Sequence, residues 1–124
     1  MKSRGLVALV ACLVTGCAAQ PTTPVGPPPE CTGAADCQAK WEAAQIFVVH
    51  HAGMKLQIVT DVLLETYSPS DYGVELAMRV TKEPLGGGSY RFIAQGWCNN
   101  LFGCEPSAGA IVAKFNSTIS AVTP

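Results

Sequence analysis

Charge is scarce in this chain of 124 residues. Asp, Glu, Lys and Arg make up 14% of it, and its eight basic residues form no run. Holding a phosphate backbone at useful salt takes several clustered Lys or Arg, so nucleic acid is not an expected partner. Histidine is scarcer still, with only His50 and His51. A Ser or Cys nucleophile needs a His base within hydrogen-bond reach and a third group to orient it. Ser68 and Ser70 fall in a turn expected at the opposite end from His50, and no Gly-x-Ser-x-Gly is present. Asp61 and Glu65 on one strand would stand about 13 Å apart, too far for a paired-carboxylate site. No catalytic residue is therefore named and no enzyme is expected. Cys-x-x-Cys is missing too, which argues against a redox role. No apolar run reaches the roughly 20 residues of a membrane-spanning helix.

What is present begins with an address. Lys2 and Arg4 precede an apolar segment from Leu6 to Val14, and Thr15-Gly16 then leads into Cys17. A charged start, a short apolar stretch and small residues before a cut make an export signal. Leu13-Val14-Thr15-Gly16-Cys17 resembles the lipobox of bacterial lipoproteins, with Val14 where Leu is commoner. That resemblance implies removal of residues 1–16, a diacylglyceryl group on the Cys17 thiol and acylation (palmitate) of its new amine. Ala18 after the anchor implies outer-membrane sorting in two-membrane bacteria, with the domain in the periplasm; an inner-membrane site, or a secretory signal cut after Ala19, is the alternative. Without Lys2 and Arg4, six basic residues face nine acidic ones, a net charge of 6 − 9 = −3.

Ala18 to Glu30 holds five prolines and almost nothing to bury, so residues 17–30 are expected to be the lipidated cysteine and an extended tether, reaching roughly 40 Å at the polyproline rise. Residues 31–124 then form one domain, since no second linker and no internal repeat is evident. Cys31, Cys37, Cys98 and Cys104 are left after the signal and the anchor take two of the six cysteines, and an even number in an oxidising compartment reads as two disulfides. The Cys-x5-Cys spacing of each pair favours the local bridges, Cys31 to Cys37 and Cys98 to Cys104. The crossed pairs stay open, because tracing the chain places all four thiols at one end. A four-cysteine zinc site prefers closer spacing.

Apolar periodicity supplies the elements. Cys37, Trp41, Ala44, Phe47 and Val48 stripe a helix over Ala34 to His51, with Gly53 as its left-handed stop. Lys55 to Tyr67 alternates as one long strand, bent near Thr60-Asp61, and Val74 to Val80 and Tyr90 to Cys98 alternate after it. Pro84 to Ser89, with three glycines, is the turn between the last two. Pro106 stands at a first helical position, and Ala108, Ile111, Val112, Phe115 and Ile119 stripe a closing helix. The expected fold is α+β: an α-β-β-β-α two-layer domain, a three-stranded antiparallel meander with both helices on one face. The double-stranded-RNA-binding domain has that order of elements, but its basic loop is missing and fold does not imply function. The mature domain resembles small uncharacterised lipoproteins of proteobacteria through Lys55-Leu56-Gln57, Thr60 to Tyr67 and the four cysteines, a resemblance that implies no activity.

On the sheet face away from the helices, Val59, Leu63, Ile93 and Trp97 should lie among Arg79 and Arg91. Aromatic and aliphatic groups flanked by arginines have the composition of a protein-binding patch. The expected role is a non-catalytic, structural or protein-binding accessory, anchored to the membrane through Cys17 and contacting another envelope protein, without cofactor or metal. The alternative is a small-molecule or metal binder at an end carrying His50, His51 and the Pro84 to Ser89 loop. Adjacent imidazoles on a helix point about 100° apart, which argues against a metal shared by His50, His51 and Met54. Asn116-Ser117-Thr118 matches a glycosylation acceptor but on a bacterial helix carries no weight.

Overall fold

The computed structural model describes residues 25–124. The signal segment, the lipobox and Cys17 lie outside them. The elements are β1 (Glu30–Thr32), α1 (Ala34–His51), β2 (Leu56–Val59), β3 (Leu63–Thr66), β4 (Ala77–Gly86), β5 (Ser89–Trp97) and α2 (Ala108–Ser120). The strands form one antiparallel sheet in the order β1-β5-β4-β3-β2. None of the helices among the described residues is long and apolar enough to cross a membrane.

The fold is α+β as expected, with two more strands than the meander. What reads as a single strand from Lys55 to Tyr67 is a hairpin. The Thr60 hydroxyl accepts from the backbone N–H of Val62 (3.2 Å) and Leu63 (2.9 Å), and the Thr60 N–H closes on the Leu63 carbonyl at 2.9 Å. A threonine side chain here does the work usually left to glycine or asparagine. The fifth strand is the three-residue β1, which pairs Cys31 with Tyr90 on the outer edge of β5.

The extra hairpin reverses the direction of every later element. In a three-stranded meander, α2 would begin beside the start of α1. Here β5 runs from the Gly86–Gly88 turn, next to the α1 N-terminus, toward the opposite end of the domain. Two disulfides form, Cys31–Cys37 and Cys98–Cys104. Cys31 pairs with Tyr90 near the start of β5, whereas Cys98 follows its last residue, so they sit at opposite ends of a strand about 26 Å long. The four thiols do not share an end, and the crossed pairings are out of reach. The two ends are called below the glycine-turn end and the α2-start end.

The core lies between the sheet and the two helices. Cys37, Trp41, Ala44, Phe47 and Val48 of α1, the stripe seen in the sequence, are all buried. They meet Leu64, Met78, Val80 and Phe92 of the sheet and Ile111, Phe115 and Ile119 of α2. Trp41 stacks on Phe92 with ring centroids 5.7 Å apart, and Phe47 meets the edge of Phe115 at 5.2 Å. The Trp41 indole N–H donates to the Thr60 carbonyl at 3.2 Å, tying the hairpin turn to the helix.

Two helix ends differ from expectation. Gly53 is not a left-handed stop: α1 ends at an extended Ala52, and the Gly53 N–H donates to the Leu76 carbonyl at 2.8 Å. Glycine is required there because an added Cβ would lie 2.9 Å from the Leu76 nitrogen. Helix α2 begins at Ala108 rather than at Pro106, because the Ser107 hydroxyl accepts from the Ala110 N–H and makes Ser107 the cap.

The expected tether is docked over residues 25–30. Pro29 is fully buried, and its carbonyl accepts from the Phe92 N–H at 2.9 Å. The Asn116 amide donates to the carbonyls of Val25 (3.2 Å) and Gly26 (3.3 Å). The packed unit therefore starts before Cys31. Walking back from Glu30, the segment follows β5 and α2 toward the α2-start end, where Val25 lines one cleft with Trp97, Ala108 and Gly109.

Candidate functional site

Both helices pack on one side of the sheet, and the register sorts the other side. Leu63 pairs with Thr81, which pairs with Ile93; Glu65 pairs with Arg79, which pairs with Gln95; Ala77 pairs with Trp97, and Glu83 with Arg91. Leu63, Arg79, Arg91, Ile93 and Trp97 therefore share the face turned away from the helices. Val59 does not. A register shift between Leu56 and Ile58 pairs Val59 with the buried Leu64 and Ile58 with Glu65, so Val59 lies on the helix side at the exposed edge strand and Ile58 takes its place. One irregular residue is enough to exchange the two faces of a strand.

The arginines of this face already have partners. Arg79 is paired with Glu65 and its guanidinium lies over the Trp97 ring, 5.8 Å from the centroid. That carboxylate holds the guanidinium pKa above its usual value. Arg91 contacts Glu30 at 2.8 Å. Such exposed pairs are weak because water screens them, so a partner could exchange them at little cost. Leu63, Ile93 and Trp97 are each half-buried; Thr81 stands between Leu63 and Ile93, and the Glu65–Arg79–Gln95 row between Ile93 and Trp97, so apolar and polar groups alternate across this face.

The residues of the alternative site are not brought together. His50 and His51 close α1, while the Pro84 to Ser89 turn lies near its start, with the Gly88 carbonyl accepting from the Gly33 N–H. An 18-residue helix, about 27 Å long, separates them. His51 packs on Phe47, ring centroids 4.3 Å apart, and burial is the first cause lowering its pKa, with Lys114 and His50 adding repulsion. Among the described residues no three His, Cys, Asp or Glu side chains stand together as metal ligands. Ser68 and Ser70 lie at the same end as His50, not opposite it, because β3 brings the chain back there; Ser70 donates to Glu75 at 3.4 Å.

Near the glycine turn, Lys82 projects on the helix side with its ammonium 4.6 Å from the Tyr90 ring centroid and 5.8 Å from that of Trp41. A cleft of about 350 Å³ beside it is lined by Gly33, Cys37, Gln38 and Gly88. A second, shallow and apolar cleft of about 480 Å³ lies between Val25, Trp97, Ala108 and Val112.

Sequence reasoning passed over the most exposed apolar groups. Leu101 and Phe102, inside the loop closed by Cys98–Cys104, are 93% and 97% exposed, and neighbouring Tyr72 is 87% exposed. Their signal was there: two large apolar residues between Asn99-Asn100 and Gly103, where turn chemistry turns side chains outward.

Comparison with protein-family models, curated proteins and solved structures finds no match for this chain.

Proposed function

We propose that this chain is a lipid-anchored protein of the bacterial envelope, held at the outer membrane through Cys17, whose domain in the periplasm binds another envelope protein without catalysing a reaction. The observation that carries the binding role is the sheet face free of both helices, where Ile58, Leu63, Ile93 and Trp97 are interleaved with Arg79 and Arg91. Aromatic and arginine side chains of this kind dominate the energy of protein interfaces. The anchoring role is supported by Leu13 to Cys17 and by the charged and apolar residues before it.

Two experiments test the two parts. Metabolic labelling with palmitate should mark the wild-type chain and not Cys17→Ala; equal label in both would refute anchoring. Crosslinking in native envelopes followed by mass spectrometry should recover one dominant partner, and Ile93→Gln with Trp97→Gln should abolish it while the melting temperature stays within a few degrees. A large loss of stability would show that the face is core rather than interface.

A further inference from the structure

The N-terminal segment and the Leu101–Phe102 loop reach the same end of the domain. Val25 lines one cleft with Trp97 and Gly109, while Cys98 follows Trp97 directly. Only eight chain steps separate Cys17 from Val25, a span of at most about 29 Å when fully extended. An acyl chain on Cys17 would therefore keep Val25 within that span of the bilayer, with the α2-start end in reach of it.

That end carries a fixed apolar tip. The disulfide closes the loop, and inside it the Phe102 N–H donates to the Asn100 side chain at 2.9 Å and the Gly103 N–H to the Asn100 carbonyl at 3.3 Å. The Asn100 amide donates to the Tyr72 carbonyl at 2.8 Å, and the Asn99 amide to the Pro69 carbonyl at 3.1 Å, so the two loops are tied together. Tyr72 is held at φ 61°, a left-handed conformation that non-glycine residues adopt at a cost. Its ring and the side chains of Leu101 and Phe102 stand in solvent on this scaffold.

We infer that Tyr72, Leu101 and Phe102 dip into the bilayer interface beside the lipid anchor and fix the domain's orientation on the membrane. The inference rests on acylation of Cys17. The three side chains are almost fully exposed, so an occupant must surround them, as lipid does. A phenol beside aliphatic groups suits the headgroup boundary. The nearby carboxylates Asp71, Glu75 and Glu105 give no attraction for anionic lipid, so zwitterionic phospholipid is the ligand class. The acyl chains already supply retention. Insertion of the tip then acts on orientation at the high local concentration a short tether creates, each of Leu101 and Phe102 adding roughly a tenfold bias toward the inserted state.

The test uses the full, acylated chain with Phe102→Trp in phosphatidylcholine vesicles containing doxyl-labelled lipid, with acylation verified by the mass of the N-terminal peptide. Relative to the parent, which carries Trp41 and Trp97, the introduced indole should add blue-shifted emission that doxyl lipid quenches, and Leu101→Asp should abolish both effects without altering the melting temperature. Absence of the acyl mass would refute the anchoring reading itself. With acylation verified, water-like, unquenched emission overturns the inference. So does a blue shift that grows with protein density and resists lipid quenching, the sign of a second copy. A shift seen only in native envelopes and unquenched by lipid overturns it in favour of a protein pocket.

Discussion

Replacing Asn116 by alanine should release the N-terminal segment while leaving the rest of the core in place. The Asn116 side chain is nearly buried, at 6% exposure, and its amide bridges the carbonyls of Val25 and Gly26. A neutral hydrogen bond contributes about 0.5–1.5 kcal/mol net. Both acceptors belong to exposed residues, so water can replace the lost donor. The loss should therefore fall near the lower end for two bonds, about 1–2 kcal/mol, and lower the melting temperature by roughly 5–10 °C for a domain of this size. Thermal denaturation gives the magnitude, and amide exchange at Phe92 gives the mechanism. That N–H donates to Pro29, so it should exchange faster than its neighbours in β5 once the segment lifts. Asn116→Asp should be worse, because it sets a carboxylate against two carbonyl oxygens. If Phe92 stays fully protected and the melting temperature does not move, the clamp carries no weight and the tether is held by proline packing alone. If all of β5 loses protection together, Asn116 is part of the cooperative core instead.

The two disulfides should differ in worth. Each closes a loop of about seven residues, worth about 2 kcal/mol in the loop-entropy model, but Cys31 and Cys37 are also buried in the core cluster at 1% and 4% exposure. The paired change of those two to serine should cost at least 1 kcal/mol more, by denaturant titration, than the same change at Cys98 and Cys104; equal losses would refute a packing contribution. Gly53→Ala should destabilise by about 1–3 kcal/mol in the same assay, since the new methyl would meet Leu76 backbone rather than a movable side chain. His51 has a folded pKa depressed below 6.5 by burial against the core. The unfolded chain therefore takes up a proton first as pH falls, so stability is complete above about pH 6.5 and declines as pH drops below it until the folded form protonates too. Melts from pH 7.5 to 5 should show that slope, and His51→Gln should flatten it; an unchanged slope would assign it to other groups. Asp36 is depressed through the Thr32 N–H and Lys40, so its contribution is lost only below about pH 4, outside that range.

Much of the core was legible because helix periodicity survives in the sequence. The span and the buried stripe of α1 follow from spacing alone, and the faces of β5 from its alternation. Features held by a single side chain were not legible. The Thr60 turn contains no glycine, proline or asparagine, and the alternation of Leu56, Ile58, Thr60, Val62 and Leu64 runs straight through it. The three residues of β1 are too few to show a period, and their place is fixed by pairing with β5. The docking of 25–29 was hidden for a different reason: proline-rich composition predicts little burial, yet Pro29 fits against β5 and Asn116 supplies donors that no local pattern announces. On the open face, Leu63, Arg79, Arg91, Ile93 and Trp97 could be grouped from alternation, whereas Val59 could not be placed without the register shift at Gln57.

That one turn decides more than a strand count. With Lys55 to Tyr67 as a single strand, β5 would end beside the start of α1, and the Cys98–Cys104 loop would stand at that end with Cys31. The added reversal at Thr60 carries the loop to the other end, and the 25–29 segment, running back along β5, brings the chain's N-terminal side to that same end. The exposed tip and Val25, the first described residue after the candidate anchor, thereby lie toward the same end. The sheet runs roughly along the line between the two ends, so with the tip against a bilayer its open face would stand upright and look sideways. A partner reaching Trp97 and Ile93 would then approach along the membrane, with Trp97 nearest the lipid and Arg91 farthest from it. The order in which Trp97, Ile93 and Arg91 crosslink to a membrane-embedded partner tests this geometry: contact that begins at Arg91 and spares Trp97 would turn the domain the other way up.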